Sequence, residues 1–419
     1  MKFLSARTHS PAGFHVLKLP FLLLWLLVSC SQPEPGRSTK SKASSETGSN
    51  PVGRGVIISS SQISRKSAQS IALQMQDNGL AASAAHGVVL YKIVYGTIDA
   101  HGRPTVASGA LAIPEVVTTP LPLLSYQHGT VVHKEGVASS YGFDLSSMMF
   151  GGGGYVVAIP DYLGLGESPG LHPYVHGASL ATSVIDMLRA ARQFCGQQKV
   201  ALSGELFLMG YSEGGYATMA AHRAIETDHA NEFSVTASAP MAGPYDMSGT
   251  MRELFMSNAR YANPFYMPYV VLAYNEVYGL AESLDSIFAA PYAKYLPDLF
   301  DGTEEGFDIN RDLPPVPKEM LHPEFLRNFQ NDSLNPLRRA LRQNDMWDWT
   351  PRAPMRLYHC TADRQVPFAN SRVAYDSFRK RGATQVELVP LDNGDHGACG
   401  LPSIMEGKEW FDSLRGRSR

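Results

Sequence analysis

From about residue 86 onward, short apolar runs alternate with longer stretches of helical spacing. Gly87–Tyr95 and Val106–Ile113 are predicted to pair as strands across the turn-rich Asp99-Ala-His-Gly102. Further strands are predicted at Leu121–Tyr126, Tyr155–Ile159, Leu206–Met209, Val235–Ala239, Met355–Tyr358 and Val386–Val389. In Ala178–Phe194, Val184, Ile185, Leu188 and Ala191 fall on one face of a helix. Gly214–Ile225 is a second helix, rich in alanine, which permits close packing on a sheet. Alternating strands and helices predict an α/β fold with a mostly parallel, doubly wound sheet.

Two segments break this alternation. Residues 245–350 show no good strand and hold 17 of the chain's 41 aromatic residues. They are expected to form a helical cap insertion with its own core, lining an apolar acyl pocket. It would divide the core into a first part, 61–244, and a second part, 351–419.

The amino end is the other exception. Basic Lys2, Arg7 and Lys18 precede the apolar run Phe21–Val28. Eight helical residues reach about 12 Å, short of a bilayer core of about 30 Å. This is the pattern of an export signal over residues 1–30. Its end, Leu27-Val-Ser-Cys30, resembles the bacterial lipobox, which makes Cys30 the candidate lipid attachment site. The alternative is an ordinary cleaved signal with an incidental cysteine. Residues 31–60 would be a flexible tether, with no periodic apolar pattern across 31–55. The implied location is exported, anchored through lipid at a bacterial outer membrane, and otherwise secreted.

Composition narrows the classes. With 36 basic and 39 acidic side chains, the net charge is −3, unlike the basic excess of a nucleic-acid binder. A 44 % hydrophobic chain of 419 residues can bury a large core. The four cysteines contain no C-x-x-C pair, so no structural zinc ribbon is predicted. Gly151–Gly154 precedes a strand and lacks the Lys-Ser or Lys-Thr of a phosphate loop, so it is predicted to be a turn. No cofactor, metal or protein partner is implied.

The candidate chemistry lies in Gly210-Tyr-Ser-Glu-Gly214, a G-x-S-x-G nucleophile elbow. The bare motif is weak, because Gly166-Glu-Ser-Pro-Gly170 fits it too. Context favours Ser212, which follows an apolar strand and precedes a helix. The residue after the nucleophile must give its backbone N–H to the oxyanion. Glu213 can do so; Pro169 has no N–H. Ser168 is therefore assigned a structural role.

A serine hydroxyl needs a neighbouring imidazole to take its proton, and a carboxylate to orient that imidazole. His396, in a glycine-bracketed loop after the last strand, is the candidate base. His359 is expected to be packed in its strand, and His222 and His229 lie too close after the elbow. Asp363, just past Met355–Tyr358, is the candidate acid, with Asp392 and Asp395 as alternatives. The second oxyanion donor is expected at the backbone N–H of Gly129 or Thr130. His128 would either orient that loop or be a buried structural histidine. Cys360 and Cys399 lie three residues from the acid and the base, in loops at the same end of adjacent strands. A disulfide between them is expected in an exported protein, with two free thiols as the alternative. Cys195 would then be unpaired.

Taken together, these residues resemble the α/β-hydrolase superfamily, and more narrowly the secretory lipase family and its bacterial exported esterase relatives. The matching stretches are Ser125–Thr130, Pro160–Ser168, His172-Pro-Tyr174, Gly210–Gly215, Cys360–Asp363 and Asp395-His-Gly397. They span roughly residues 85–415. The resemblance implies hydrolysis of an acyl ester, lipid among the candidates, through a covalent acyl-serine. Ser212 would be nucleophile, His396 base and then acid, and Asp363 the orienting carboxylate. A serine peptidase of the same fold is the nearest alternative. A non-catalytic binding protein on this scaffold is a second.

Overall fold

The computed structural model describes residues 52–80, 84–392 and 394–416. The expected export signal, Cys30 and most of the expected tether lie outside the described residues.

Nine strands form one sheet: β1 (Ile57–Lys66), β2 (Val88–Ile98), β3 (Pro104–Pro114), β4 (Leu121–Gln127), β5 (Val156–Pro160), β6 (Leu202–Tyr211), β7 (Ala237–Met241), β8 (Met355–Cys360) and β9 (Val386–Leu391). Their spatial order is β1-β2-β3-β5-β4-β6-β7-β8-β9. The first three run as an antiparallel meander, and β3 pairs antiparallel to β5. From β5 through β9 every pairing is parallel. The order steps back at β4, where the chain leaves β5 and crosses to β6.

Helices cover both faces. On one side lie α1 (Ala68–Asp77), the four-residue α2 (Ala138–Tyr141) and α3 (Leu145–Gly152). On the other lie α4 (Gly177–Gln197) and α5 (Glu213–Asp228). The period-two geometry of a strand sends neighbouring side chains to opposite faces. In β6, Phe207 and Met209 join Phe150 and Phe411 on one face. Leu206 and Leu208 join Val184, Leu188 and Phe194 on the other. Burying each such side chain contributes about 1.5–3 kcal/mol.

Two expectations at the amino end need correction. A strand, β1, begins at Ile57, so the tether cannot extend to residue 60, and the first strand is not Gly87–Tyr95. Nearly all of β1 is exposed. It is held by backbone pairing with β2, with Ile57 packed against the core at its start. Of the expected turn Gly151–Gly154, Gly151 and Gly152 instead end α3, and Gly153 and Gly154 form the turn. A Cβ on Gly151 would stand 3.0 Å from Val88 Cγ2, so the missing side chain lets the helix lie close on β2.

Between β7 and β8 the chain forms α6 (Arg252–Met256), α7 (Tyr266–Tyr278), α8 (Tyr292–Leu299), α9 (Gly306–Arg311), α10 (Pro323–Asn331) and α11 (Pro336–Gln343). No named strand occurs there, and a single bridge joins Phe288 to Leu321. The insertion does not have a core of its own. Tyr269, Phe288, Leu296 and Met320 belong to the same buried cluster as Leu180, Tyr216 and Leu357. Polar ties add to this: Tyr216 donates to Asn344 O at 2.7 Å, and Gly177 N donates to Asn344 Oδ1 at 2.9 Å. The chain closes with α12 (Ala369–Lys380) and α13 (His396–Leu414).

Candidate active site

Ser212 sits between β6 and α5 with φ 61° and ψ −124°. L-residues rarely adopt this conformation, and it throws the side chain clear of the strand. The surrounding glycines allow the tight turn. A Cβ on Gly214 would stand 2.0 Å from Gln127 O, and one on Gly215 would stand 2.1 Å from Met241 O. Ser212 N donates to Met241 O at 2.9 Å, tying the turn to β7.

Three separated segments converge there. Ser212 Oγ lies 2.9 Å from His396 Nε2, and His396 Nδ1 lies 2.5 Å from Asp363 Oδ2. All three residues are buried or nearly so, with Ser212 9 % exposed. A hydroxyl donor and a carboxylate acceptor place the imidazole proton on Nδ1 and leave Nε2 free to accept from serine. His396 opens α13, whose N-cap Asp395 accepts from Ala398 N. Asp395 is thus a helix cap, and Asp392, like it, is exposed. Tyr211 donates to His396 O at 2.7 Å, so the elbow also carries a support for the base.

Asp363 is heavily ligated. Oδ1 accepts from Gln365 N and Val366 N, both at 2.9 Å. Oδ2 faces His396 and also His359 Nε2 at 3.3 Å. Burial alone would raise this carboxyl, but hydrogen bonds from His359 and His396 outweigh it and hold the group at about 2. His359 is packed in β8 and also faces the acid, a role the sequence reading did not give it.

Cys360 and Cys399 form a disulfide, with Cα atoms 5.9 Å apart. It joins the end of β8 to the first turn of α13, and so joins the acid's segment to the base's. Cys195 is a buried free thiol that burial pushes up to about 12.

The loop after β4 faces the elbow. A Cβ on Gly129 would stand 3.8 Å from Ser212 Cβ. His128 packs at a tilt against Tyr162 with centroids 4.2 Å apart, and its ring nitrogens face Gly129 O and Asp161 O. Tyrosine hydroxyls hold this loop: Tyr162 donates to His128 O at 3.0 Å, Tyr269 to Val131 O at 3.2 Å, and Tyr174 meets Thr130 Oγ1 at 2.9 Å. Tyr162 and Tyr174 lie in motifs noted in the sequence, but nothing local there revealed this support.

The remaining candidates fall elsewhere. Ser168 is buried in a turn, its N donating to Leu165 O. His222 spans Ser238 Oγ and Glu226 Oε1, and His229 ends α5 near Glu232. Among the described residues no group of three or more metal-ligating side chains could hold an ion. No helix among them is long and apolar enough to cross a membrane.

Beside Ser212 lies a narrow cleft of about 20 Å³, lined by Tyr174, Met247, Met251, Phe255, Tyr266, Val270 and Val366. Five of these come from the cap helices α6 and α7 or the turn leading to α6. The cap therefore supplies much of the wall beside Ser212.

The parallel sheet, its reversal at β4 and the elbow after β6 define an α/β-hydrolase. The secretory lipase family profile matches residues 145–254. The rice cell wall degrading esterase LipA of Xanthomonas oryzae, in a ligand-bound form, is 31 % identical, with a TM-score of 0.78, over 87 % of this chain and 98 % of that one. A protein of Legionella pneumophila is 28 % identical, with a TM-score of 0.80, over 87 % and 99 %. Lipase A of Candida antarctica, in its closed state, shares the fold at 17 % identity and a TM-score of 0.64, over 88 % and 84 %. No curated protein sequence matches the chain. The chain belongs to the α/β-hydrolase family of the Xanthomonas esterase, resembles secretory lipases over the matched segment, and is a lipase- or esterase-like hydrolase of carboxylic esters.

Proposed function

We propose that this chain is an exported serine esterase that works through a covalent acyl-serine. The observation that carries the reading is the line from Ser212 Oγ through His396 to Asp363, at 2.9 and 2.5 Å. His396 Nε2 takes the hydroxyl proton as Oγ attacks the ester carbonyl. The backbone N–H groups of Glu213 and of Gly129 or Thr130 meet the developing oxyanion, an effect worth several kcal/mol at the transition state. His396 then gives its proton to the leaving alcohol. Water repeats the sequence and releases the acid. Asp363 holds the ring in the required tautomer throughout.

The name of the matching family profile and the apolar run before Cys30 support export. Lipid attachment at Cys30 is tested by palmitate labelling of the wild type and Cys30→Ala. The Xanthomonas relative's description as an esterase supports ester cleavage.

The decisive experiment offers p-nitrophenyl esters from acetate to palmitate, and a matched anilide, to wild type and Ser212→Ala. Ester turnover that depends on Ser212 is the expected result. Cleavage of the anilide with no ester turnover would move the protein to the peptidase reading. Full activity in Ser212→Ala would remove the assignment of the nucleophile.

A further inference from the structure

Glu213, the residue after the candidate nucleophile, is 1 % exposed. Its Oε1 lies 2.8 Å from Nε2 of His172, which is itself buried. His172 Nδ1 lies 2.7 Å from Leu163 O. A carbonyl only accepts, so Nδ1 carries a proton. That leaves one further proton to place between the ring and the carboxyl. Either Nε2 donates it to a carboxylate, or Oε1 carries it and donates to a neutral ring.

Both arrangements have the same consequence for Oε2. It is an acceptor with nothing to offer but lone pairs. Among the described residues no group donates to it. A buried acceptor left this way is destabilising. Glu213 is also one of the residues around the cleft beside Ser212, with Tyr174, Met251, Phe255, Tyr266 and Val270, and its Oε2 is closed from solvent in the unliganded protein. The Tyr174 hydroxyl is already engaged by Thr130. In an otherwise apolar and aromatic wall, a carboxyl oxygen asks for a donor brought in by the ligand.

We propose that Glu213 Oε2 is a substrate subsite that accepts a hydrogen bond from a hydroxyl group on the ester, making hydroxylated esters the preferred class. This rests on the esterase reading above. A hydroxyl suits the site better than an ammonium group. The His172–Glu213 pair is neutral overall in both arrangements, and an apolar cleft disfavours a cation. The hydroxyl can belong to the acyl group or to the alcohol, since both flank the carbonyl at Ser212.

The test compares kcat/KM for isosteric pairs, read by pH-stat. The acyl arm sets ethyl 3-hydroxybutanoate against ethyl 3-methylbutanoate, and ethyl 4-hydroxycinnamate against ethyl 4-methylcinnamate. The alcohol arm sets 2-hydroxyethyl butanoate against propyl butanoate. Wild type should favour the hydroxylated member about tenfold in at least one arm, and that arm identifies the source. Glu213→Gln should keep the preference, because its amide can donate to His172 and leave its carbonyl as the acceptor in place of Oε2. Glu213→Met should bring the ratio close to one. A ratio within one variant cancels any general loss from disturbing the elbow.

Ratios near one in every wild-type pair overturn the proposal, and so does a preference that survives Glu213→Met. Should that variant not fold, a crystal structure of Ser212→Ala with the favoured ester decides. The hydroxyl must lie within about 3.2 Å of Oε2, and a hydroxyl bound elsewhere overturns the proposal. Ser212-dependent turnover without hydroxyl preference leaves the esterase reading intact and removes only this one. Absence of any ester turnover removes both.

Discussion

His359 Nε2 lies 3.3 Å from Asp363 Oδ2, the same oxygen that His396 holds at 2.5 Å. Nε2 also faces Val366 O at 2.8 Å, so it carries a proton and donates. The acid therefore has two imidazole neighbours, one in line with the serine and one behind it. His359→Leu removes the rear donor and should lift the Asp363 carboxyl from about 2 toward its ordinary 3.8. A fall in kcat of about three- to tenfold with KM unchanged is expected, with partial recovery in His359→Asn. An unchanged kcat would show the contact to be idle.

The same carboxyl sets a stability window. It is near 3.8 unfolded and about 2 folded, so its ionised form stabilises the fold above roughly pH 4. That contribution, about 2 kcal/mol, is lost as pH falls from 3.8 toward 2. Denaturant unfolding of Asp363→Asn should lack this component of acid sensitivity. An equally steep acid profile in the variant would contradict the assignment.

Ser212→Ala, His396→Ala and Asp363→Asn should each lower kcat by about 10³-fold or more. Circular dichroism should show the fold intact in all three. Their effects should not add, since the three side chains act as one unit.

Asp345 titrates in the opposite sense. Burial raises its carboxyl to about 6, with Ser248 hydrogen bonds opposing and the nearby Asp246 charge assisting. A raised acid binds more protons folded than unfolded, so stability falls as pH rises from about 4 to 6. Asp345→Asn should remove that slope and raise the melting temperature at pH 7. A variant no more stable than wild type at pH 7 would refute this.

The disulfide closes a 39-residue separation between the acid and base segments. Cys360→Ser with Cys399→Ser should lose about 2–4 kcal/mol of stability. Activity should suffer well below the melting point, because the two loops carrying Asp363 and His396 lose their tie. Thermal melts and kcat with and without reductant test this in the wild type.

Two glycines give a contrast in packing. Gly215→Ala would push a methyl to 2.1 Å from Met241 O and should cost about 3 kcal/mol or more. Gly196, in α4, has open space around it. Gly196→Ala should raise stability by about 1 kcal/mol.

Much of this molecule is legible in its sequence, and the unread parts share a physical cause. Strands β4 to β8 are largely buried on both faces, so they are written as apolar runs. Strand β1 has no buried face to write; its Ser59, Ser60 and Ser61 hold place through backbone pairing alone. Helix α3 ends in two glycines because close approach to Val88 of β2 and to Ala84 and Ile71 requires them, and that same feature disguises its end as a turn. Ser212, Asp363 and His396 stood out because each sits in a loop of recognisable local chemistry. The His172–Glu213 contact did not, since 41 residues separate partners that meet only after folding. His359 was read from its strand position, which says that it is buried but not what it touches. The cap's shared core was invisible for a similar reason: Tyr216 and Tyr269 show apolarity in sequence, not partnership.

Ser212 holds the least comfortable backbone in the elbow, at φ 61°. A glycine would occupy that position with little strain, and only the hydroxyl argues for serine. Ser212→Gly should therefore yield a protein more stable than the wild type by about 1 kcal/mol and devoid of turnover. At this one position selection for durability and selection for chemistry pull in opposite directions, and the natural residue records which of them prevailed.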